Sequence, residues 1–407
     1  MRSRPPSSCS SLRPQLRSGA DRRAATAWWL VAVLAVAVNL RPAVASVPPL
    51  IDAITADLRL SGPAAGLLTT LPVLCMGLFA PVAPVGARRL GAPMVLAAAV
   101  ALIAVGSAIR GVGAVGLYAG SAVAGIGIAV AGTLLPGLVK ARFPDQVGPV
   151  TGLYTAGLIG GALLAAGATE PLASAGGVGW PGALALWALP AVAALGVWLA
   201  VTRPVPATTP PDARVGLPWR DRTAWLATGF MGGQSLLFYA TLAWLAACYT
   251  SLGVDATTAG LLLAVFSATQ LVSALGLPLL AHRGGRLGPW IAVSVGLCVA
   301  GLVLVALVPL VSPWLWATIL GLGMGGQFAL ALTLVAQIAP TPAAAPSYSG
   351  LAFLVGYLLA ALGPVAAGGL RDLSGGYRAP FLVLAGVGLA VLALGVIAAR
   401  RTTSPSS

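Results

Sequence analysis

The chain has 407 residues, of which 58% are hydrophobic and only 8% charged, and its mean hydropathy is +0.95. Soluble domains carry about 25% charged residues, so this composition excludes a soluble fold and indicates a polytopic, all-α integral membrane protein. The net charge of +14 would suit a nucleic-acid partner, but the placement of the basic residues gives it another meaning.

The Arg/Ser/Pro-rich segment 1–23 resembles a signal n-region, and Ala43-Val44-Ala45 has the pattern of a cleavage site. The apolar stretch between them is too long for a signal peptide and is interrupted by a charge, so it reads as a retained first span behind a tail. Between Arg23 and Asp52 lie 28 residues with one charge, Arg41, in the run Asn39-Leu40-Arg41-Pro42.

A charge in a spanning segment costs about 2.5–3.5 kcal/mol at the bilayer centre and normally faces a protein-lined cavity. At ~1.5 Å per residue, Arg41 lies roughly 24 Å into a core about 30 Å thick. Two roles are open to it. It contacts an anionic or polarised solute, or it snorkels to the headgroups and binds carbonyls at a helix end. Pro42, Pro48 and Pro49 imply a broken helix end able to shape a cavity. Asn39 lies about 200° around the helix from Arg41, so it joins the same ligand only if the chain unwinds at Pro42. An interhelical hydrogen bond is its other role.

Residues 50–60 set Leu50, Ile51, Ile54 and Leu58 at helical spacing against Asp52, Asp57 and Arg59. This predicts a short amphipathic helix on the outer surface, with a polar loop as the alternative. Further on, uncharged gaps at 60–87, 90–109, 111–139, 146–169, 171–202, 223–254, 256–281 and 379–399 each hold one span. The gap 287–370 has 84 residues and holds three, broken at Pro309–Pro313 and Pro340–Pro346. The total is twelve spans, with both termini on one side.

The domain reading is a tail 1–23, a six-helix bundle 24–202, a Pro- and Arg-rich linker 203–222, a second bundle 223–400 and a tail 401–407. With the amino terminus cytoplasmic, the inner segments hold 18 basic residues and the outer ones only Arg41, Arg59, Arg110, Arg371 and Arg378. That is a positive-inside bias. It needs no nucleic acid, and it places the chain in the cytoplasmic (inner or plasma) membrane with both termini cytoplasmic. One inner loop, 339–346, carries no basic residue.

The two bundles repeat each other. Ala65-Gly66-Leu67-Leu68 returns as Ala259-Gly260-Leu261-Leu262, and Arg89-Leu90-Gly91 as Arg286-Leu287-Gly288. Gly125-Ile126-Gly127 returns as Gly321-Leu322-Gly323, and Thr151-Gly152-Leu153 as Ser349-Gly350-Leu351. Four matches in order at nearly one offset indicate parallel six-helix repeats about an axis along the membrane normal. Such repeats put a solute site near the midplane between them. The third and sixth spans of each half are nearly free of mid-span polar groups and read as lipid-facing supports. Polar groups fall instead on Asn39, Thr69, Thr70, Gln234, Ser235, Gln270, Gln327 and Tyr357. Gln234 and Gln327, on the seventh and tenth spans, and Tyr357 on the eleventh are candidate solute contacts. Each amide serves equally well as a bond between helices. The glycines of the fifth span, from Gly152 to Gly167, read as close packing.

Near the midplane there is no Asp or Glu, so a buried carboxylate relay is missing. No phosphate-binding loop, metal-ligand set, cysteine framework or hydrolytic triad is present. The reading is therefore of no enzyme, no cofactor and no nucleotide-binding subunit.

The motifs Asn39-Leu40-Arg41-Pro42, Ala65 to Leu74, Ala87-Arg88-Arg89-Leu90-Gly91, Leu134-Leu135-Pro136 and Thr151 to Thr155 resemble the cyanate permease and 2-nitroimidazole transporter branch of the major facilitator superfamily. The similarity runs through most of the first half, while the second half matches mainly in architecture. The superfamily loop between the second and third helices carries an aspartate before its arginine. Here Gly86 to Gly91 has none, nor has the copy at His282 to Arg286, so a salt bridge through that aspartate is in doubt.

The resemblance implies a single-chain secondary transporter working by alternating access as a monomer among membrane lipids. Its small-molecule solute would be a cyanate-like anion or a nitroimidazole-like heterocycle. The expected contacts are Arg41, Asn39, Gln234, Gln327 and Tyr357, and the expected gating-loop residues are Arg88, Arg89, Arg283 and Arg286. The rival readings are an exporter of drugs or metabolites on the same fold, with Arg41 structural, and a membrane sensor that binds solute without moving it.

Overall fold

The computed structural model describes the backbone of residues 19–202, 217–284, 287–340 and 344–403. Most of the 203–222 linker and Arg286 lie outside the described residues. Among the described residues, twelve helices are long and apolar enough to cross a membrane. We number them α1 (Gly19–Val38), α2 (Gly62–Phe79), α3 (Ala92–Ile109), α4 (Gly113–Arg142), α5 (Val147–Ser174) and α6 (Gly179–Val201), then α7 (Arg222–Thr250), α8 (Ala256–Gly284), α9 (Leu287–Leu307), α10 (Pro313–Ile338), α11 (Ala345–Ser374) and α12 (Arg378–Thr403). The breaks expected in the long uncharged gap fall between α9 and α10 and between α10 and α11.

The first span breaks where a proline removes a donor. In a continuous helix the carbonyl of Val38 would accept from the backbone nitrogen of residue 42, and Pro42 has no N–H. The chain turns through residues 39–41 and restarts as a short helix, Pro42–Ala45. A 3₁₀ turn Pro48–Leu50 and a helix Ile51–Leu58 follow. In that last helix Ile51 and Ile54 are buried while Asp52 and Asp57 are exposed, which is the amphipathic helix expected there. Arg59 ends it in the left-handed region at φ 51°.

The packing pairs repeat between the halves. In the first, α2 packs on α4, α3 on α4, α3 on α6, α1 on α5 and α1 on α6. In the second, α8 packs on α10, α9 on α10, α9 on α12, α7 on α11 and α7 on α12. Adding six to each helix number converts one set into the other, as parallel repeats require. The halves meet along α2–α11 and α5–α8, a pair of seams that the same exchange also interconverts.

The seams close most tightly at the end of the bundle opposite the termini. A Cβ placed on Gly62 of α2 would lie 2.3 Å from the carbonyl oxygen of Gly368 on α11, so only glycines permit that crossing. The carboxylates of Asp52 and Glu170 accept from the hydroxyls of Thr250 and Thr257 across the halves. Nearer mid-bundle, Thr70 Oγ1 donates to the Ala361 carbonyl at 2.7 Å. Among the described residues, hydrogen bonds between the halves lie from the middle to this far end.

Candidate solute-binding site

The break in α1 puts Arg41 at the N-cap of the short helix Pro42–Ala45, with its backbone at φ −114°, ψ −27°. Its guanidinium leaves the first half and lies against α7 of the second. The Cζ atom is 5.1 Å from the ring centre of Phe238 and 5.9 Å from that of Tyr239. Both fall within the ~6 Å range of a cation–π contact. Among the described residues no carboxylate pairs with Arg41; the one salt bridge there is Arg371–Asp372.

Aromatic rings extend the wall. Phe238 and Tyr239 meet edge to face at 4.9 Å, and Phe238 stacks on Phe266 of α8 at 6.2 Å. Tyr239 faces Tyr357 of α11 at 6.5 Å, and Tyr357 stacks on Phe353 at 5.8 Å. Tyr239 donates its hydroxyl to Met76 Sδ of α2 at 3.7 Å. Four helices and the α1 break thus converge at mid-bundle. α7 stays continuous where its counterpart breaks, because no proline interrupts Arg222–Thr250.

The sequence candidates divide. Tyr357 belongs to this cluster with Arg41. Gln234 lies one turn before Phe238 on α7, and its Nε2 donates to the Met231 carbonyl at 3.0 Å and to Ser235 Oγ at 2.7 Å. Asn39 faces elsewhere although the chain unwinds at Pro42: its Nδ2 donates to the carbonyls of Ala35 at 2.9 Å and of Pro190 on α6 at 3.2 Å. Gln327 is fully buried and faces the support helix α9, donating to the carbonyls of Ser294 at 3.3 Å and Gly323 at 3.0 Å. The structure therefore brings Arg41 and Tyr357 together, keeps Gln234 one turn away and bonded within α7, and leaves Asn39 and Gln327 between helices.

Arg88 and Arg89 are exposed at the end of a short helix, Val82–Leu90, where cations suit the terminal carbonyls. The side chain of Arg283, like Arg286, lies outside the described residues. Of the fifth-span glycines, Gly161 packs against α1: a Cβ there would sit 2.0 Å from the Val38 carbonyl oxygen freed by Pro42. Gly152 and Gly160 have nothing within 4 Å, so close packing does not account for them.

Phe238, Tyr239, Phe266 and Phe353 were not singled out from the sequence. Phe353 and Tyr357 are four residues apart, as are Gln234 and Phe238, and share a helix face. In helices this apolar, such spacing does not distinguish a lining ring from a packed one.

The sequence matches the family described as Major Facilitator Superfamily over residues 28–364. The chain belongs to the major facilitator superfamily. It is 35% identical over 364 residues to an uncharacterized transporter, YycB, of Bacillus subtilis (strain 168), covering 88% of this chain and 90% of that one. It is 34% identical over 376 residues, 91% and 95% of the two chains, to a 2-nitroimidazole transporter of Escherichia coli (strain K12). It is 33% identical over 379 residues, 90% and 96%, to the cyanate transport protein CynX of the same organism. The fold superimposes on a bacterial homologue of the human lysosomal transporter Spinster with a TM-score of 0.75 at 16% identity, covering 93% and 99%. This facilitator is accordingly a multi-pass membrane protein that transports solute, and its resemblance to the cyanate and 2-nitroimidazole branch extends over most of the chain.

Proposed function

We propose that this facilitator moves a small polar or anionic solute across the cytoplasmic membrane by alternating access, acting as a monomer with both termini cytoplasmic. The observation that carries this reading is Arg41, a guanidinium without a carboxylate partner among the described residues, set against Phe238 and Tyr239 where the halves meet. A guanidinium fork matches planar oxyanions and nitro groups, and flanking rings stack on a flat solute. A nitroimidazole-like heterocycle uses both the fork and the stacking, while a cyanate-like anion uses the attraction of its charge to the cation, and relatives named for both support the choice.

In the proposed cycle Arg41 and Tyr357 contact solute, with Gln234 one turn away on α7. Asn39 and Gln327 take that role only in a conformation where their present carbonyl partners are released. The basic loops at Arg88, Arg89, Arg283 and Arg286 act at the cytoplasmic face as the halves rock. Cross-half bonds gathered from the middle to the far end support a state closed to the outside. The basic bias of the terminal side supports the orientation.

The test is uptake of radiolabelled cyanate and of a 2-nitroimidazole into proteoliposomes, with wild type beside Arg41→Ala. Loss of uptake by a folded variant supports the reading. Equal uptake by wild type and variant makes Arg41 structural. Binding of hydrophobic dyes with indifference to small anions would favour an exporter, and binding without flux a sensor.

A further inference from the structure

We propose that Arg110 is a positioning residue for Arg41, holding the broken end of α1 so that the Arg41 guanidinium stays against Phe238 and Tyr239. This rests on the reading that Arg41 contacts solute. The short helix Pro42–Ala45 ends in carbonyls that have no helical partners. The carbonyl of Arg41 accepts from the backbone N–H of Val44 and Ala45, each at 3.0 Å, and that of Pro42 from Ser46 at 2.9 Å. The next carbonyl, Ala43, is met by a side chain from the α3–α4 turn: Arg110 Nη1 donates to it at 2.7 Å. The same nitrogen lies 3.4 Å from Ser46 Oγ. One guanidinium thus secures the far end of a single helical turn that bears Arg41 at its near end.

The surroundings are shaped around Arg110. It is 0% exposed, and α3 and α4 close over its stem through glycines. A Cβ on Gly120 would lie 2.7 Å from Arg110 Cγ and 2.5 Å from the Gly106 carbonyl oxygen. Yet the residue is a poor stabiliser in its own right. Among the described residues it has no acidic partner, and its Nε and Nη2 have no hydrogen-bond partner. Burying a charge is unfavourable unless it is paired and hydrogen-bonded, so the desolvation of Arg110 offsets much of what its donor to Ala43 contributes. A group that does little for stability and caps the one turn carrying the solute-facing cation is explained by where it holds that cation.

This separates positioning from mere structure. Arg110→Met keeps the volume and removes the cap. Its melting temperature in detergent should stay within a few degrees of wild type. Its KM for radiolabelled 2-nitroimidazole uptake should rise on the order of tenfold with a smaller change in kcat, because a misplaced ligand group weakens solute binding. Arg110→Lys, which keeps a donor, should recover most of the affinity. On an Arg41→Lys background, Arg110→Met should add little. A readout independent of solute is amide hydrogen exchange at Val44, Ala45 and Ser46, which should quicken in Arg110→Met and also in Arg110→Gln, whose shorter stem keeps a polar head but draws the donor back from Ala43.

An Arg110→Met protein with wild-type KM and unchanged exchange at 44–46 would overturn the proposal, as would lost stability restored together with KM by any apolar residue. If Arg110→Met does not fold, Arg110→Gln carries both readouts. If Arg41→Ala leaves uptake unchanged, or neither solute is moved, the Arg41 reading fails by itself, and the exchange measurement alone decides whether Arg110 holds the turn.

Discussion

Asp372, near the end of α11, accepts the backbone N–H of Gly62 at 2.6 Å, so a carboxylate of the second half caps the first turn of α2 in the first half. Ser61 Oγ accepts from Ala64 in the same turn at 3.4 Å. A negative group suits a helix N-terminus because the first N–H groups lack helical partners. The contact exists only while the seam at the far end is closed. Removing a cap costs about 0.5–2 kcal/mol, and Asp372 is partly exposed, so the lower part of that range applies. Asp372→Ala should therefore raise the population open at that end roughly two- to fivefold. Spin labels at the exposed positions Arg59 and Leu373 would read it, as a longer component in the distance distribution that wild type lacks.

The Arg41 contact gives a second prediction. A cation–π contact contributes about 0.5–2 kcal/mol depending on desolvation. Phe238→Leu keeps an apolar side chain and removes the ring, so KM for a 2-nitroimidazole should rise about three- to thirtyfold. Phe353→Leu, whose ring stacks on Tyr357 and makes no contact of this kind with Arg41, should have a smaller effect. Equal effects would mean that stacking on solute outweighs the hold on Arg41.

Glycines on α5 supply a third test with an internal control. Gly161→Ala would bring a Cβ within 2.0 Å of the Val38 carbonyl oxygen, while a Cβ on Gly152 meets nothing within 4 Å. Backbone cannot swing aside as a side-chain tip can, so Gly161→Ala must push α1 and α5 apart beside the break. Uptake should fall at least tenfold in Gly161→Ala and hold within about twofold in Gly152→Ala. Thermal melting of both proteins would show whether lost uptake is only lost fold.

Asp221 gives a pH dependence. It caps α7, accepting from the N–H of Thr223 at 2.7 Å and of Ala224 at 3.3 Å and from the Tyr348 hydroxyl at 2.5 Å. Desolvation pushes its carboxyl up, but these bonds and the nearby Arg401 outweigh that and hold it below the usual carboxylate range. A depressed folded pKa means that the stability it contributes is present above the unfolded value near ~3.9 and is lost as pH falls through the lower folded value. Asp221→Asn should lower the melting temperature at pH 7, and the gap to wild type should close as pH falls below about 4. A gap that persisted at low pH would trace the loss to packing instead of charge.

Much of this facilitator was legible along the chain because a bilayer imposes a one-dimensional constraint. Each span must be about 20 apolar residues, so gaps between charges gave the twelve helices, and Pro42 marked the break in α1. The paired motifs gave the parallel halves, and the lone charge in the first span pointed to Arg41. Asn39 was not settled this way, since the chain leaves helical geometry at 39–41 and could have turned it toward Arg41, yet its side chain bonds to Ala35 and Pro190.

What the chain alone could not supply is which way a polar or aromatic side chain faces in a helix that is apolar all round, because no hydrophobic stripe marks an inside. Gln327 and Gln234 look alike in sequence, yet one bonds to α9 and the other lies beside Phe238. Arg110 reads as one more outer-loop cation until the fold carries it under the α1 break to Ala43. Composition and spacing along the chain determined the membrane and the helix count, which follow from local hydrophobicity, and the repeat, which follows from matched motifs at one offset. Only the tertiary structure decided which side chains meet around Arg41, because five segments distant in sequence converge there, and nothing local encodes that meeting.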